Sequence, residues 1–174
     1  MPDLTFNTPE GQTVARELLL SYLNTGTAEL PVWSPFGIRV EDSQMEMDWG
    51  KETTQDVLGN TYTSMKKPTI TQSFDPWPLT SNDTALVKLW NVGVRDQDAQ
   101  ALANQDVLIV HRYAGTSDTA VFSERYPSSA ISINNLGGPG GGQLNMASEI
   151  TYGGVREIGT AKIQDGAVTF TADT

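Results

Sequence analysis

The chain contains no cysteine and a single histidine, His111. Without cysteine it can form no disulfide framework, no thiolate zinc site and no cysteine nucleophile. His111 ends an apolar segment that offers no obvious partner, so we expect a strand residue making one hydrogen bond rather than a catalytic base. A metal site would therefore need carboxylates alone, and no Asp-x-Asp-x-Asp-Gly spacing provides one. We expect neither a metal nor a cofactor.

Basic residues are scarce. The chain has 11 Lys and Arg against 21 Asp and Glu, which gives a net charge of -10 and a pI of about 4.4. Such a surface repels nucleic-acid phosphates and anionic lipids instead of binding them. No apolar run approaches the ~18 residues that cross a bilayer, and the N-terminus lacks the basic start and apolar middle of a secretion signal. We expect a soluble protein made inside the cell.

Length and composition favour one domain. The chain has 174 residues, of which 38% are hydrophobic, and this is close to the ordinary globular range. Most segments are typical of strands, and one stretch is typical of a helix. The sequence therefore predicts a single α+β domain over residues 1–174, dominated by antiparallel sheet with one helix packed on it.

The clearest strand pattern lies at residues 44–50, where polar and apolar side chains alternate strictly. Glu46 and Asp48 share one face with Gln44, and the apolar face carries Met45, Met47 and Trp49. A polar excursion over residues 51–60 follows, and then a second extended run over residues 62–74. Two strands flanking such an excursion predict a hairpin with a long arm, at about residues 48–63.

The best helix covers about residues 81–92. Ser81 or Asn82 can cap it, and Ala85, Leu86, Leu89 and Trp90 recur at helical spacing up to an expected end near Gly93. The remaining strands are predicted at residues 18–23, 32–40, 107–113, 120–126, 130–133, 144–152, 155–163 and 168–172.

Two glycine-containing connections divide these later strands. Asp165-Gly166 is a short hairpin signal. The run at residues 137–142 contains five glycines and Pro139, but no Lys-Ser or Lys-Thr follows it, so it fails as a phosphate-binding loop. We expect a mobile surface loop there.

Two weaker signals for function stay open. The pairs Glu46 with Asp48, and Glu41 with Asp42, could act as general acid and base, although any solvated strand face shows the same spacing. Tryptophans 33, 49, 77 and 90 lie in different predicted elements, so core and interface packing is the default and carbohydrate stacking a minor alternative.

The block from residue 48 to residue 76 carries a family resemblance. DWGKETTQDVLGNTYT at residues 48–63, followed by KKPTITQSFDP at residues 66–76, resembles the tail tube (major tail) proteins of long non-contractile-tailed bacteriophages and prophages. Residues 106–110 with Tyr113, residues 120–126 and residues 153–160 extend the similarity over most of the chain.

The resemblance implies two packed antiparallel sheets, a barrel-like β-sandwich, with one flanking helix and a long hairpin arm. It implies a structural, non-enzymatic virion protein of the tail, made in the host bacterial cytoplasm. The resemblance further implies that identical copies form stacked hexameric rings around a generally acidic channel, through which DNA is ejected without specific binding. The implied partners are the tape-measure protein, the tail terminator and tail-tip proteins, with no membrane.

The resemblance also implies roles for particular residues. The arm reaches the neighbouring ring, and the implied contact residues are Trp49, Lys51, Glu52, Thr53, Thr54, Asp56, Leu58 and Tyr62. Glu46 and Asp48 are candidate lumen acids, although the outer wall is equally open to them. The alternatives are a β-sandwich carbohydrate-binding or adhesion module and, more weakly, a hydrolase that uses an acid pair.

Overall fold

Antiparallel strands dominate the computed structural model, which describes residues 3–173. The helical segments are short: a 3-10 turn at Arg16–Leu18, α1 at Thr84–Trp90, a π-helical turn at Asn91–Arg95 and α2 at Ala99–Leu102. The strands are β1 Leu19–Asn24, β2 Trp33–Pro35, β3 Asp42–Asp48, β4 Glu52–Gln55, β5 Thr61–Ser64, β6 Thr69–Pro78, β7 Gln105–Thr116, β8 Ala120–Gly137, β9 Asn145–Thr151, β10 Glu157–Gln164 and β11 Ala167–Ala172.

Nine of the described strands form two sheets that share one long strand. The first sheet has the order β2-β1-β7-β8-β10-β11, and the second has the order β3-β6-β9-β8. The first part of β8 pairs with β7 and β10, while residues 130–137 of the same strand pair with β9. The segments 120–126 and 130–133, predicted as separate strands, are therefore one strand that passes from sheet to sheet. Local alternation along a chain cannot show such continuity.

The main core lies between the two sheets. Leu23, Val107 and Ile109 from the first sheet meet Trp77 and Ile150 from the second, and all five side chains are fully buried. Fully burying a side chain of this kind contributes about 1.5–3 kcal/mol. The prediction of a mainly β fold with packed antiparallel sheets and one flanking helix is confirmed.

A second apolar cluster fills the other side of the first sheet. It includes Trp33 of β2, Leu108 of β7, Ala161 of β10 and Val168 of β11. Strands from both ends of the sheet contribute to one cluster, so the sheet curls toward closure like a small barrel.

Helix α1 begins at a buried aspartate. The Oδ1 of Asp83 accepts a hydrogen bond from the Leu86 backbone N–H at 3.1 Å, and its Oδ2 accepts one from the Trp77 indole N–H at 2.9 Å. Burial raises the pKa of Asp83, although both hydrogen bonds oppose the rise. The cap is therefore Asp83 and not Ser81 or Asn82, because this carboxylate also ties the helix to the core.

A buried polar network joins β1 of the first sheet to β6 and β3 of the second. Ser21 of β1 donates to the Gln72 Oε1 of β6 at 2.9 Å, and the Tyr152 hydroxyl donates to the same oxygen. The Gln72 amide donates in turn to Ser43 of β3 at 2.9 Å. Because buried polar groups need partners, this network fixes the position of the first sheet relative to the second.

Several predicted segments differ in extent. Of the predicted strand at residues 32–40, only Trp33–Pro35 forms β2, and the run at residues 62–74 divides into β5 and β6. The Asp165-Gly166 hairpin is confirmed, with both residues at positive φ as a two-residue turn between β10 and β11 requires.

Candidate functional site

One face of the second sheet is open to solvent, and its composition is unusual. Cross-strand pairing places side chains in rows, since directly paired residues share a face. One row runs Gln44, Ser73, Glu149, Ser132, and the next runs Glu46, Thr71, Thr151, Ala130. Asp42 pairs with Asp75 at one end of the sheet, and Asp48 pairs with Thr69 at the other. We call these twelve residues the acidic face.

The acidic face carries five carboxylates and no cation: Asp42, Glu46, Asp48, Asp75 and Glu149. None of the five forms an ion pair with any residue between 3 and 173. Directly opposed like charges, such as Asp42 and Asp75, destabilise a sheet. The face therefore carries an electrostatic cost for the isolated chain and repels anions.

Sequence reasoning found only part of this face. The alternation at residues 44–50 placed Glu46 and Asp48 together, and the structure places both on the acidic face. The alternation did not indicate that Asp42, Asp75 and Glu149 belong to the same surface. The strand predicted at residues 144–152 contains Glu149, but only strand order could bring β9 and β3 into one sheet.

The predicted apolar side of β3 is only partly covered. Met45 packs against the core, whereas Met47 is 51% exposed and Trp49 is 45% exposed. The core therefore stops short of the end of β3 that leads into residues 50–68.

Both edges of the second sheet lack a neighbouring strand among residues 3–173, although the Arg16 guanidinium donates to the Ser43 C=O of β3 at 3.1 Å. Strand β3 pairs only with β6, and the 130–137 part of β8 pairs only with β9. Unpaired edges carry free backbone N–H and C=O groups that can pair with another chain. The second sheet can therefore be extended at either side.

Residues 50–68 form a projecting hairpin between β3 and β6. Strands β4 and β5 pair with each other in a separate two-stranded sheet, and the backbone bond from Lys66 N–H to Trp49 C=O at 2.8 Å closes its base. Residues 51–67 are exposed apart from the half-buried Asp56. The predicted contact residues therefore lie on or beside one protrusion: Trp49, Lys51, Glu52, Thr53, Thr54, Asp56, Leu58 and Tyr62.

Asp56 organises the tip of the projecting hairpin. Its carboxylate accepts hydrogen bonds from the backbone N–H groups of Leu58 and Asn60, the Asn60 side chain and the Tyr62 hydroxyl, at 2.9–3.1 Å. These bonds, led by that of the Asn60 side chain, lower the pKa of Asp56. The turn is therefore preformed, while Val57 and Leu58 beside it are 102% and 83% exposed.

The features behind the alternative functions are partly covered, although Trp49 stays 45% exposed. Trp33 and Trp77 are buried, so neither can serve as a carbohydrate-stacking platform. Glu46 and Asp48 stand on an open sheet surface. The residues from 3 to 173 contain no group of three His, Asp or Glu placed to hold a metal ion. In the same range, no helix has the length and apolarity needed to cross a membrane.

A buried ionic cluster lies inside the fold, apart from these surfaces. Glu124 of β8 is 7% exposed and accepts a hydrogen bond from Arg156, while His111 Nε2 lies 3.6 Å from its Oε2. His111 makes one hydrogen bond, to the Tyr113 hydroxyl at 2.8 Å, as predicted. Burial by itself would raise the pKa of Glu124, but the contacts with His111 and Arg156 outweigh it and hold the pKa below its usual value.

Glu124→Gln should destabilise the fold at neutral pH because it leaves Arg156 without its counter-charge. We expect a loss of about 2–3 kcal/mol, less than for a fully buried pair since Arg156 keeps some contact with water. The folded pKa of Glu124 lies below its unfolded value, so its stabilisation is present above about pH 4.3 and lost as pH falls through the folded pKa. Urea unfolding at several pH values measures this.

Glu157→Gln provides the control for that experiment, because Glu157 contacts Arg125 at 3.4 Å and is far more exposed than Glu124. Its expected cost is under about 1 kcal/mol. If the gap between wild type and Glu124→Gln stays constant down to about pH 3, the ionised carboxylate is not what stabilises the cluster.

Comparison with solved structures identifies the fold. The sheath/tube terminator of an extracellular contractile injection system (PVC) superposes with a TM-score of 0.51 at 7% identity, covering 84% of this chain and 96% of that one. The chain has a tail-tube-like fold. No family model and no curated protein matches it.

Two further solved structures are similar at lower scores. The sheath-tube complex of the same injection system has a TM-score of 0.48 at 9% identity, over 94% of this chain and 95% of that one. The tube-terminating cap of the anti-feeding prophage has 0.47 at 8% identity, over 93% of each chain. The assignment of the tail-tube-like fold rests on the terminator.

Proposed function

We propose that this chain is a structural tail-tube subunit that forms stacked hexameric rings around a channel for DNA ejection. The observation that carries the proposal is the acidic face, where a solvent-exposed surface of the second sheet holds five carboxylates and no cation. The tail-tube-like fold supports the same structural role.

The free edges of the second sheet supply the means of ring closure. In a ring, β3 of one copy pairs with the 130–137 part of β8 of the next, and each copy covers its neighbour's open edge. Four strands from each of six copies make a barrel of 24 strands. At a spacing of about 4.8 Å such a barrel measures ~37 Å between opposite backbones, and strand tilt widens it further. A bore of this size accommodates a nucleic-acid duplex.

The acidic face then lines that bore. Five carboxylates from each of six copies place thirty negative charges in each ring. DNA carries one negative charge per ~1.7 Å of its axis, so a cationic wall would bind it, whereas this wall keeps it away from the surface. Glu46 and Asp48 act here as lumen acids, together with Asp42, Asp75 and Glu149.

The projecting hairpin acts between rings, where its contact residues reach the next ring. The tape-measure protein, the tail terminator and tail-tip proteins are the remaining partners in this assignment, and the virion tail is the location. The resemblance carried by residues 48–76 supports assignment of the chain to the tail of a long non-contractile-tailed phage or prophage. The terminator with the same fold belongs to a contractile injection system. The proposed role is structural and requires neither catalysis nor a cofactor.

Self-association tests this proposal. Purified protein examined by negative-stain microscopy and sedimentation at increasing concentration should give sixfold rings and then tubes with a central channel. A chain that remains monomeric at every concentration and binds to a glycan array would overturn the assignment in favour of a carbohydrate-binding module.

A further inference from the structure

The two ends of the second sheet are chemically different. At one end, beyond Asp48 and Thr69, the chain leaves as the projecting hairpin. At the other end Asp42 pairs with Asp75, and the glycine-rich connection between β8 and β9 lies on the same side, since Asn145 pairs with Pro78. A hairpin leaving one end of a copy therefore points toward the Asp42 end of a copy stacked in the same orientation.

The projecting hairpin concentrates positive charge. Lys51, Lys66 and Lys67 are all of the basic residues between positions 40 and 87. Residues 50–68 contain three lysines against Glu52 and Asp56, so they carry +1 while the rest of the chain carries -11. Lys66 contacts Glu52 at 3.1 Å, whereas Lys51 and Lys67 make no ion pair within residues 3–173. Two exposed ammonium groups at the hairpin base are thus left without a counter-charge.

The opposite end of the sheet concentrates negative charge. Asp42 and Asp75 face each other across two strands, Glu41 adjoins them, and none of the three is ion-paired within the described chain. All three are exposed. Repulsion between these like charges destabilises the isolated chain, and a cation that approaches them relieves the repulsion.

We propose that the base of the projecting hairpin, through Lys51 and Lys67, docks on the Asp42 and Asp75 end of a second copy of this chain in the adjacent ring. The inference rests on the proposed function and specifies its stacking contact. Each copy carries both surfaces at opposite ends, so the contact is heterologous and repeats into a filament. Two copies that each carry a net charge of -10 repel overall, and this ion pairing sets both the register and the polarity of the stack.

A charge-swap experiment tests this docking. Lys51→Glu with Lys67→Glu should stop assembly at single rings, and so should Asp42→Lys with Asp75→Lys, each raising the concentration needed for tubes at least tenfold. Combining the four changes in one chain should restore stacking, because the attraction is then reversed but intact. The Lys66–Glu52 contact is left in place in every variant.

Lys162→Glu is the control for one charge reversal and is compared with Lys51→Glu alone, since Lys162 is exposed on β10 of the first sheet. Thermal unfolding establishes that each variant is folded. If a variant is not folded, wild-type tubes titrated with salt serve instead, and they should shorten into rings as screening increases.

The outcomes separate the docking from the proposed function. If wild-type protein never forms rings or tubes, both the proposed function and the docking contact are overturned. If wild type polymerises and the Lys51→Glu, Lys67→Glu variant polymerises equally well, only the docking is overturned. The docking is also overturned if the combined variant fails to recover tubes, or if tube length does not respond to salt.

Discussion

Replacing residues 50–65 with a two-residue Asn-Gly turn should abolish tube formation and leave a fully folded chain. Lys66 N–H already bonds to Trp49 C=O at 2.8 Å, which is the closure that a two-residue hairpin needs. Residues 51–65 are exposed apart from the half-buried Asp56, so their removal takes little from the core. We expect the thermal midpoint to change by no more than about 2 °C, because surface changes stay within roughly 0.5 kcal/mol.

Microscopy and sedimentation of this deletion variant should show single rings without stacks. A companion variant keeps the hairpin but carries Val57→Ser and Leu58→Ser, which removes the two most exposed apolar side chains at the tip. If the companion variant stacks more weakly than wild type but still stacks, burial of these two apolar side chains contributes part of the stacking free energy. Tubes of ordinary length from the deletion variant would show that the projecting hairpin has no part in stacking.

Reversing charge on the acidic face should convert an inert channel into a DNA-binding one. The variant Glu46→Lys, Asp48→Lys, Glu149→Lys changes the net charge of each copy from -10 to -4 and places eighteen lysines on the faces of a hexamer. A surface that contacts six to ten phosphates loses about 10³–10⁵ in affinity between roughly 50 and 200 mM salt. Duplex binding to assembled tubes should follow that steep dependence, and wild-type tubes should show no binding.

The matched control is Asp3→Lys, Glu10→Lys, Glu29→Lys, which makes the same change in net charge at exposed acids outside the second sheet. Fluorescence anisotropy of a labelled duplex measures both variants at each salt concentration. Equal binding by the control would show that net charge alone matters and that the acidic face does not line the channel.

The sequence by itself determined the local elements and the sign of the charge. Strict alternation at residues 44–50 identified β3 and placed Glu46 with Asp48, and Asp165-Gly166 identified the final hairpin. Helical spacing identified α1, although its cap is Asp83, because a buried bond to Trp77 depends on a residue outside the helix. These features depend on neighbours in the chain, which periodicity and turn chemistry can reveal.

Only the tertiary structure decided which distant residues share a surface. Strand order β3-β6-β9-β8 brings Glu149 into one row with Gln44, and the register of β3 against β6 sets Asp42 opposite Asp75. It also places Lys51 and Lys67 at the end of the sheet opposite those aspartates. Pairing between strands far apart in the chain follows from packing of the whole core, and no local pattern encodes it.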